Sequence, residues 1–255
     1  KEKLKNIRHS YFEARTPKRK QKCRVEDKRL RDELTNLLID SHNIQPNNAK
    51  ILASWDPYDQ NISAPFFDPE WMFSISYGFD IVIGNPPYIR EKGNAQIFKP
   101  VNESPLGKNF HQGKMDYWFY FLHYAIDVTN DNGIITFITH RYWINSAGAS
   151  KLIKRIKEKL RFRVIVDIGK LTVFEAVAGQ HMIAIYSKTI ETDDIQLKKL
   201  QNDILDVEKD FDTENLKISK IKNKEIYTTD NQITLENVLF EISDNIPLGD
   251  LYYVS

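Results

Sequence analysis

The residues with the richest chemistry are Asn85, Pro86, Pro87 and Tyr88, which follow at once on the run Phe79-Asp80-Ile81-Val82-Ile83-Gly84. Two prolines fix their own φ and remove two N–H donors, so neither a ladder nor a helix continues through them. What remains is a rigid loop offering an amide side chain, outward-turned carbonyls and an aromatic ring. That set suits the holding of a flat heterocyclic amine. The lone pair of such an amine is delocalised into its ring, which makes the nitrogen a poor nucleophile. The Asn85 side-chain oxygen and the Pro86 carbonyl would accept its two N–H groups and favour a transition state in which nitrogen attacks a methyl sulfonium. Tyr88 would stack on the ring face, a contact worth roughly 1–3 kcal/mol. The plainer alternative is a Pro-Pro turn after a core strand, with Tyr88 as packing.

Such a loop needs a strand to present it. Phe79–Gly84 has strand length and β-branched residues, the composition of a strand buried on both faces. Its C-terminal end is where open α/β sheets place their ligands. Further along, Ile134–Thr139, Phe162–Ile168 and His181–Ser187 read as strands, with Asn132-Gly133 as a turn signal. Ala147–Leu160 reads as a helix with Leu152, Ile153, Ile156 and Leu160 inward. Strand–helix–strand–helix–strand implies right-handed parallel crossovers, and the short last connection lets the fourth strand run antiparallel.

Three stretches bear on the loop's surroundings. Residues 89–113 read as a polar loop longer than most connections, a candidate lid or partner-facing element. Gly113-Lys114-Met115-Asp116 then opens a helix with Trp118, Phe119, Leu122, Ala125 and Ile126 as one apolar stripe. Asp116 falls in its first turn, where the macrodipole favours a carboxylate and a simple cap is an equal reading. Phe174, in Thr172-Val173-Phe174-Glu175, reads either as core or as a ring turned to the ligand.

At the N-terminal end, Leu4, Ile7 and Tyr11, then Leu30, Leu34, Leu37 and Leu38, recur at helical spacing, which gives a helical hairpin broken at Pro17 and Lys18-Arg19-Lys20. From Lys1 to Arg31, thirteen Lys/Arg stand against four Asp/Glu in a chain whose net charge is only +1. That asymmetry fits a solvated face or an approach to a phosphate backbone. Residues 43–78 read as an irregular connection pinned by Trp55, Phe66, Phe67, Trp71 and Phe73, and from Ile190 onward the periodicity is weak.

At 255 residues, 41% hydrophobic and 28% charged, the chain has the composition of a soluble globular protein with one sizeable core and an appendage. No apolar run approaches the ~20 residues of a membrane span, and no signal peptide opens the chain. The single Cys23 fits a reducing cytoplasm. It sits in a basic helix far from the Pro-Pro loop, which argues against cytosine C5 methylation, a reaction that needs a cysteine nucleophile. No Cys/His cluster has zinc spacing, so no metal is expected.

Asn-Pro-Pro-Tyr after such a strand resembles the catalytic motif of the N6-adenine methyltransferases that use S-adenosylmethionine. Pro65-Phe66-Phe67-Asp68-Pro69-Glu70-Trp71-Met72-Phe73 ahead of it and Ile89-Arg90 behind it resemble the large methylases of bifunctional, type IIG-like restriction–modification enzymes. The resemblance implies an α/β fold: the C-terminal half of a class I, Rossmann-like methyltransferase sheet, mostly parallel with a final antiparallel strand, plus the N-terminal helical hairpin. It implies a hairpin insertion over 1–50, the catalytic half over 51–190, and a linker and the start of a DNA target-recognition domain over 191–255, with Pro247-Leu248-Gly249-Asp250-Leu251 as that domain's opening strand.

The same resemblance makes Asn85, Pro86, Pro87 and Tyr88 catalytic, with Tyr88 and Phe174 clasping a flipped adenine. It puts Asn85 and Asp116 beside S-adenosylmethionine, and Arg90, Lys114, His140 and Arg141 against double-stranded DNA. The family's cofactor loop, a strand ending in Phe/Asp-x-Gly-x-Gly, is not found in residues 1–78. The first three strands of the sheet and most of the cofactor site are therefore expected to lie elsewhere, as Lys1 in place of an initiating Met also suggests. This chain alone is expected to be inactive and not to bind the cofactor measurably. The edge of the Phe79–Gly84 strand would be covered by the N-terminal segment, by an upstream half of the enzyme or by a second copy. Two other readings use the same residues: a glutamine N5-methyltransferase, and a non-catalytic DNA-binding or assembly module.

Overall fold

The computed structural model describes residues 2–42, 45–59, 61, 64, 66–169, 173–174, 179–189, 194–200, 216–228 and 232–235. The expected opening strand of a recognition domain at 247–251 lies outside them, as do Pro65, Thr172 and Glu175. The chain divides into two compact units, Lys1–Gly78 and Phe79–Ser255.

Among the described residues of the first unit, the named elements are all helices: α1 (Glu2–Glu13), α2 (Pro17–His42), α3 (Pro46–Ser54) and α4 (Pro69–Phe73). The break in the hairpin falls at Ala14-Arg15-Thr16, ahead of Pro17. Pro17 does not separate the helices but starts the second one, where its missing N–H is an orphan anyway and its φ is already helical. Lys18-Arg19-Lys20 accordingly lies within α2. Pro46 and Pro69 open α3 and α4 in the same way, so the stretch read as irregular carries two short helices.

The first unit is tied together by a buried ion cluster. Asp27, fully buried, accepts from Arg8 Nε at 3.0 Å and from Arg31 Nε at 2.7 Å. Arg31 also donates to the Ala53 carbonyl at 2.6 Å, and Arg8 to the Trp71 carbonyl at 2.9 Å. The Arg8 guanidinium stands 4.9 Å over the Trp55 ring. One carboxylate thus links α1, α2, the end of α3 and α4.

The second unit contains β1 (Phe79–Gly84), α5 (Ala95–Glu103), α6 (Pro105–Phe110), α7 (Trp118–Val128), β2 (Thr129–His140), α8 (Ser150–Lys159), β3 (Arg161–Gly169), β4 (His181–Ser187), β5 (Asp194–Leu200) and β6 (Leu216–Lys222). The six strands form one open sheet in the order β1-β2-β4-β3-β5-β6. Strands β1, β2, β3 and β5 run one way, and β4 and β6 run the other. The fold is mixed α/β, a sheet in which most strands run one way, with antiparallel β4 inserted between β2 and β3.

One face of this sheet carries the core. Trp118, Phe119, Leu122, Ala125 and Ile126 of α7 and Leu152, Ile153 and Ile156 of α8 join one buried cluster with Ile135, Phe137, Phe162, Ile165, Met182, Ala184 and Tyr186 of the strands. The opposite face is different at its β1 end. Side chains alternate along a strand, so Val82 packs on the core while Ile81 and Ile83 point away and are 59% and 76% exposed. The apolar composition of β1 therefore does not mean burial on both faces. The strand is the terminal one of the described sheet, and composition does not distinguish a central strand from an edge.

Two turn-like signals resolve into regular structure. Asn132-Gly133 lies within β2, at a bulge where the register against β1 shifts between Phe79 and Ile81. A side chain at Gly133 would meet the Phe79 carbonyl at 2.8 Å, so the backbones approach too closely there for a Cβ. Residues 89–113 hold α5 and α6. Ser104 caps α6 by accepting from Gly107 N at 3.2 Å, and Pro105 is its first residue.

His123 gives this unit an acid-sensitive point. It is 1% exposed, stacks on Phe110 at 4.0 Å, and is pushed down to about 3 by burial and by the charges of Arg155 and Lys151. The unfolded chain takes up this proton near the ordinary histidine value, so stability is intact above about pH 6.5 and falls as pH drops toward 3. Urea unfolding is expected to show a loss of about 2–3 kcal/mol by roughly pH 4.5. His123→Leu should flatten that slope, and an unchanged slope would assign it to other groups.

Candidate active site

The loop after β1 is held by backbone pairing to the segment that precedes α7. Tyr117 N donates to the Ile89 carbonyl at 2.8 Å and Glu91 N to the Met115 carbonyl at 3.0 Å, with Arg90 and Asp116 as bridge partners. The Glu91 carboxylate accepts from Lys114 N at 2.9 Å and lies 2.7 Å from His111 Nε2. Lys114 sits at φ 67°, and its carbonyl is where a Cβ on Gly148 would fall. Within the loop Pro86 is buried and Asn85 and Pro87 are exposed. Asn85 is thus presented at the open end of β1, on a proline anchored beneath it.

Tyr88 is half-buried. Its hydroxyl donates to the Ile138 carbonyl of β2 at 2.9 Å, and burial pushes its pKa up to about 12. Its ring centroid lies 4.5 Å from His140 and 5.7 Å from His181. Phe174 stands 6.3 Å from Tyr88 and 5.5 Å from His181. Tyr142 lies 5.4 Å from His140, and the Arg90 guanidinium covers it at 4.6 Å. The Tyr142 hydroxyl donates to the buried Asp116 carboxylate. These residues come from the loop after β1, the end of β2, the start of β4 and the β3–β4 connection. Together they form an aromatic wall at the carboxyl end of the parallel strands, where α/β sheets bind ligands.

The wall is electrically quiet. Burial pushes His140 and His181 below the ordinary histidine range, and His140 is pressed further by His181 and by the Arg90 charge. Burial raises Asp116, an effect opposed by the Tyr142 hydroxyl and by Arg90. Burial and the Asp116 carboxylate also raise Tyr142. A flat heterocycle held between two rings needs about 7 Å between them, twice the stacking contact of ~3.5 Å. At 6.3 Å and 52° between planes, Tyr88 and Phe174 must part and turn to enclose one.

The structure therefore brings Tyr88, His140 and Phe174 into one cluster, with Arg90 and Asp116 joined to it through Tyr142. Asp116 precedes α7, which starts at Trp118, and so is not in that helix's first turn. Lys114 is exposed at the rim. Arg141 points to Asp167, its Nε 3.1 Å from the carboxylate. Sequence reasoning missed Tyr142 and His181, two residues beyond His140 and at its register partner respectively. Among the described residues no group of three or more His, Cys, Asp or Glu could hold a metal ion. No helix among them is long and apolar enough to cross a membrane.

Comparison with known proteins adds the relationship. Type II methyltransferase M.HincII of Haemophilus influenzae is 27% identical over 150 residues, 57% of this chain and 30% of its own length. M.BstVI of Geobacillus stearothermophilus is 25% identical over 103 residues, 38% of this chain and 17% of its own. The chain thus spans less than a third of the curated relatives it matches. Among solved structures, the type I restriction–modification methyltransferase subunit of Streptococcus thermophilus aligns with a TM-score of 0.47 and 15% identity, over 66% of this chain and 39% of that one. The type IIG restriction endonuclease BpuSI aligns at 0.44 and 14%, over 66% and 22%. The profile of the Eco57I restriction-modification methylase family matches residues 5–174, well over half of the sequence and all of Asn85–Tyr88, and the chain belongs to that family.

Proposed function

We propose that this chain is the catalytic-loop part of a site-specific DNA adenine-N6 methyltransferase in a restriction–modification system. The observation that carries the reading is an exposed Asn85 followed by a buried Pro86 at the end of β1, beside a wall that ends in Tyr88 and Phe174. In the complete enzyme an adenine leaves the duplex at a cost of a few kcal/mol. The Asn85 amide oxygen and the Pro86 carbonyl accept its two N–H groups, Pro87 stiffens the turn, and Tyr88 and Phe174 take the ring faces. Arg90 and Lys114, both exposed, are assigned to backbone phosphates. Arg141, paired with Asp167, and the buried His140 are assigned to holding the wall.

S-adenosylmethionine would supply an electrophilic methyl group. The residues present fit one side of it only. Asn85 is available at the end of β1, whereas Asp116 is 4% exposed and committed to Tyr142, so its carboxylate does not fit a cofactor contact. Binding therefore falls to an upstream part of the enzyme that pairs with the β1 edge and covers Ile81 and Ile83. The relatives' greater length supports that assignment. Such chemistry belongs in the cytoplasm with the DNA.

The test is base capture by the complete enzyme on DNA with 2-aminopurine at the target position, whose fluorescence rises on leaving the stack. Tyr88→Ala and Phe174→Ala should each lower the signal, by roughly 1–3 kcal/mol of stacking. The double variant should fall short of the sum, because the two rings share one base. Unchanged signal and turnover in Phe174→Ala would return Phe174 to the core.

A further inference from the structure

The aromatic wall contains a pair of groups for which methyl transfer has no use. His140 ends β2 and His181 opens β4, and the two are register partners. Their rings stack at 4.7 Å with 27° between planes. His140 is 8% exposed and His181 fully buried. Among the described residues His140 Nδ1 and both ring nitrogens of His181 are buried without a well-formed hydrogen bond, the backbone of Gln180 and of Gly179 being the nearest polar groups. A neutral imidazole offers one donor and one acceptor, and leaving them unpaired in the interior is costly. Two phenyl rings would build the same stack without that cost, so the histidines call for an explanation of their own.

Tyr88 rests on this pair, and its hydroxyl is anchored to Ile138, two residues before His140 on the same strand. Phe174 meets His181 edge-on at 5.5 Å, next to Tyr88. Among the described residues the groups facing the histidines offer a proton no free carboxylate. From the loop after β1 come Tyr88 and the cationic Arg90. From the turn after β2 comes Tyr142, whose hydroxyl holds Asp116, and beside it Arg141 holds Asp167. A first imidazolium would be buried with only backbone groups of Gln180 and Gly179 near it, and burial outweighs their help. The ring would have to leave the stack to find water.

We propose that His140 and His181 are positioning residues, a neutral stacked platform that sets Tyr88 beside Asn85 and releases it when either ring gains a proton. The coupling between histidines and tyrosine stands on the geometry. Its consequence for DNA rests on the proposed function.

The first experiment is solution NMR of this chain with labelled tyrosine, the Tyr88 signal being assigned by Tyr88→Phe. The Tyr88 ring resonances should be flat at neutral pH and move in one step below about pH 6.5, where an exposed histidine would titrate. In the double variant carrying His140→Phe and His181→Phe the stack remains but the step should vanish. A wild-type signal that stays flat until the chain unfolds overturns the proposal, and so does a step that survives in the double variant. Should that variant not fold, each single variant must shift or shrink the step, and two unchanged profiles overturn it equally. The second experiment is 2-aminopurine capture by the complete enzyme, which should fall with the same midpoint and lose its acid limb in the double variant. Capture with no acid limb, beside an intact NMR step, overturns the consequence for DNA. If no base is captured at any pH while the NMR step is present, the methyltransferase reading fails and the platform stands.

Discussion

Asn85→Ala in the complete enzyme is expected to lower methyl transfer by about 10²–10³ while DNA binding stays close to that of the wild type. The amine nitrogen becomes a nucleophile only as its two hydrogens are drawn to acceptors. Asn85 is the only side-chain amide in the loop Asn85–Tyr88, and it is exposed while Pro86 behind it is buried. The effect should therefore appear in the chemical step, where the amine hydrogens need their acceptors. Single-turnover methylation with labelled cofactor, set beside an equilibrium binding assay on the same DNA, separates the two. A variant that keeps more than about a tenth of the wild-type rate would take Asn85 out of the mechanism.

Asp27→Ala should have the largest effect on stability. The substitution strips the carboxylate shared by two buried guanidiniums, Arg8 at 8% and Arg31 at 6% exposure, and removing one partner of a buried ion pair costs about 3–5 kcal/mol. The loss should be confined to the first unit, where Arg8 and Arg31 also hold the Trp71 and Ala53 carbonyls. Urea unfolding followed by the fluorescence of Trp55 and Trp71 should show a lower midpoint. Asp27→Asn, which keeps the shape and one acceptor, should fall between. A midpoint for Asp27→Ala within about 1 kcal/mol of wild type would mean that the arginines find other partners or water.

The sequence made some elements plain and hid others for physical reasons. The span of β1 was legible because Gly84 and two prolines end it sharply. Its exposure was not, because Ile81 and Ile83 have one composition whether a neighbour covers them or not. Gly and Pro between residues 93 and 113 suggested an unstructured loop. Yet Ser104-Pro105 is a helix start, a local signal outweighed by composition. Asn132-Gly133 carries the residues of a turn, and only the closeness of Phe79 shows that the glycine serves a bulge. Strands β5 and β6 went unread because charged and polar residues alternate with Ile195, Leu197 and Ile221, which looks like a solvated run until the core is in view. At the site, Asn85 and Tyr88 were evident from type and order. The wall behind them was not, since Tyr142 and His181 join it through the pairing of β2 with β4, a long-range fact.

The strand order carries a consequence for how the chain comes into being. Strand β4 lies between β2 and β3 although it is made after both, and it pairs with each along most of its length. Until Ser187 has left the ribosome, β2 and β3 share no partner, and each presents an open apolar edge to whatever is nearby. The sheet is then two separate pieces joined by α8. Arrival of His181–Ser187 closes it as a keystone closes an arch, and brings His181 to His140 in the same event. A nascent chain stalled earlier would be a client for chaperones and prone to pair with its neighbours. The aromatic wall and the join between β2 and β3 are thus made by the same seven residues, before β5 and β6 extend the sheet.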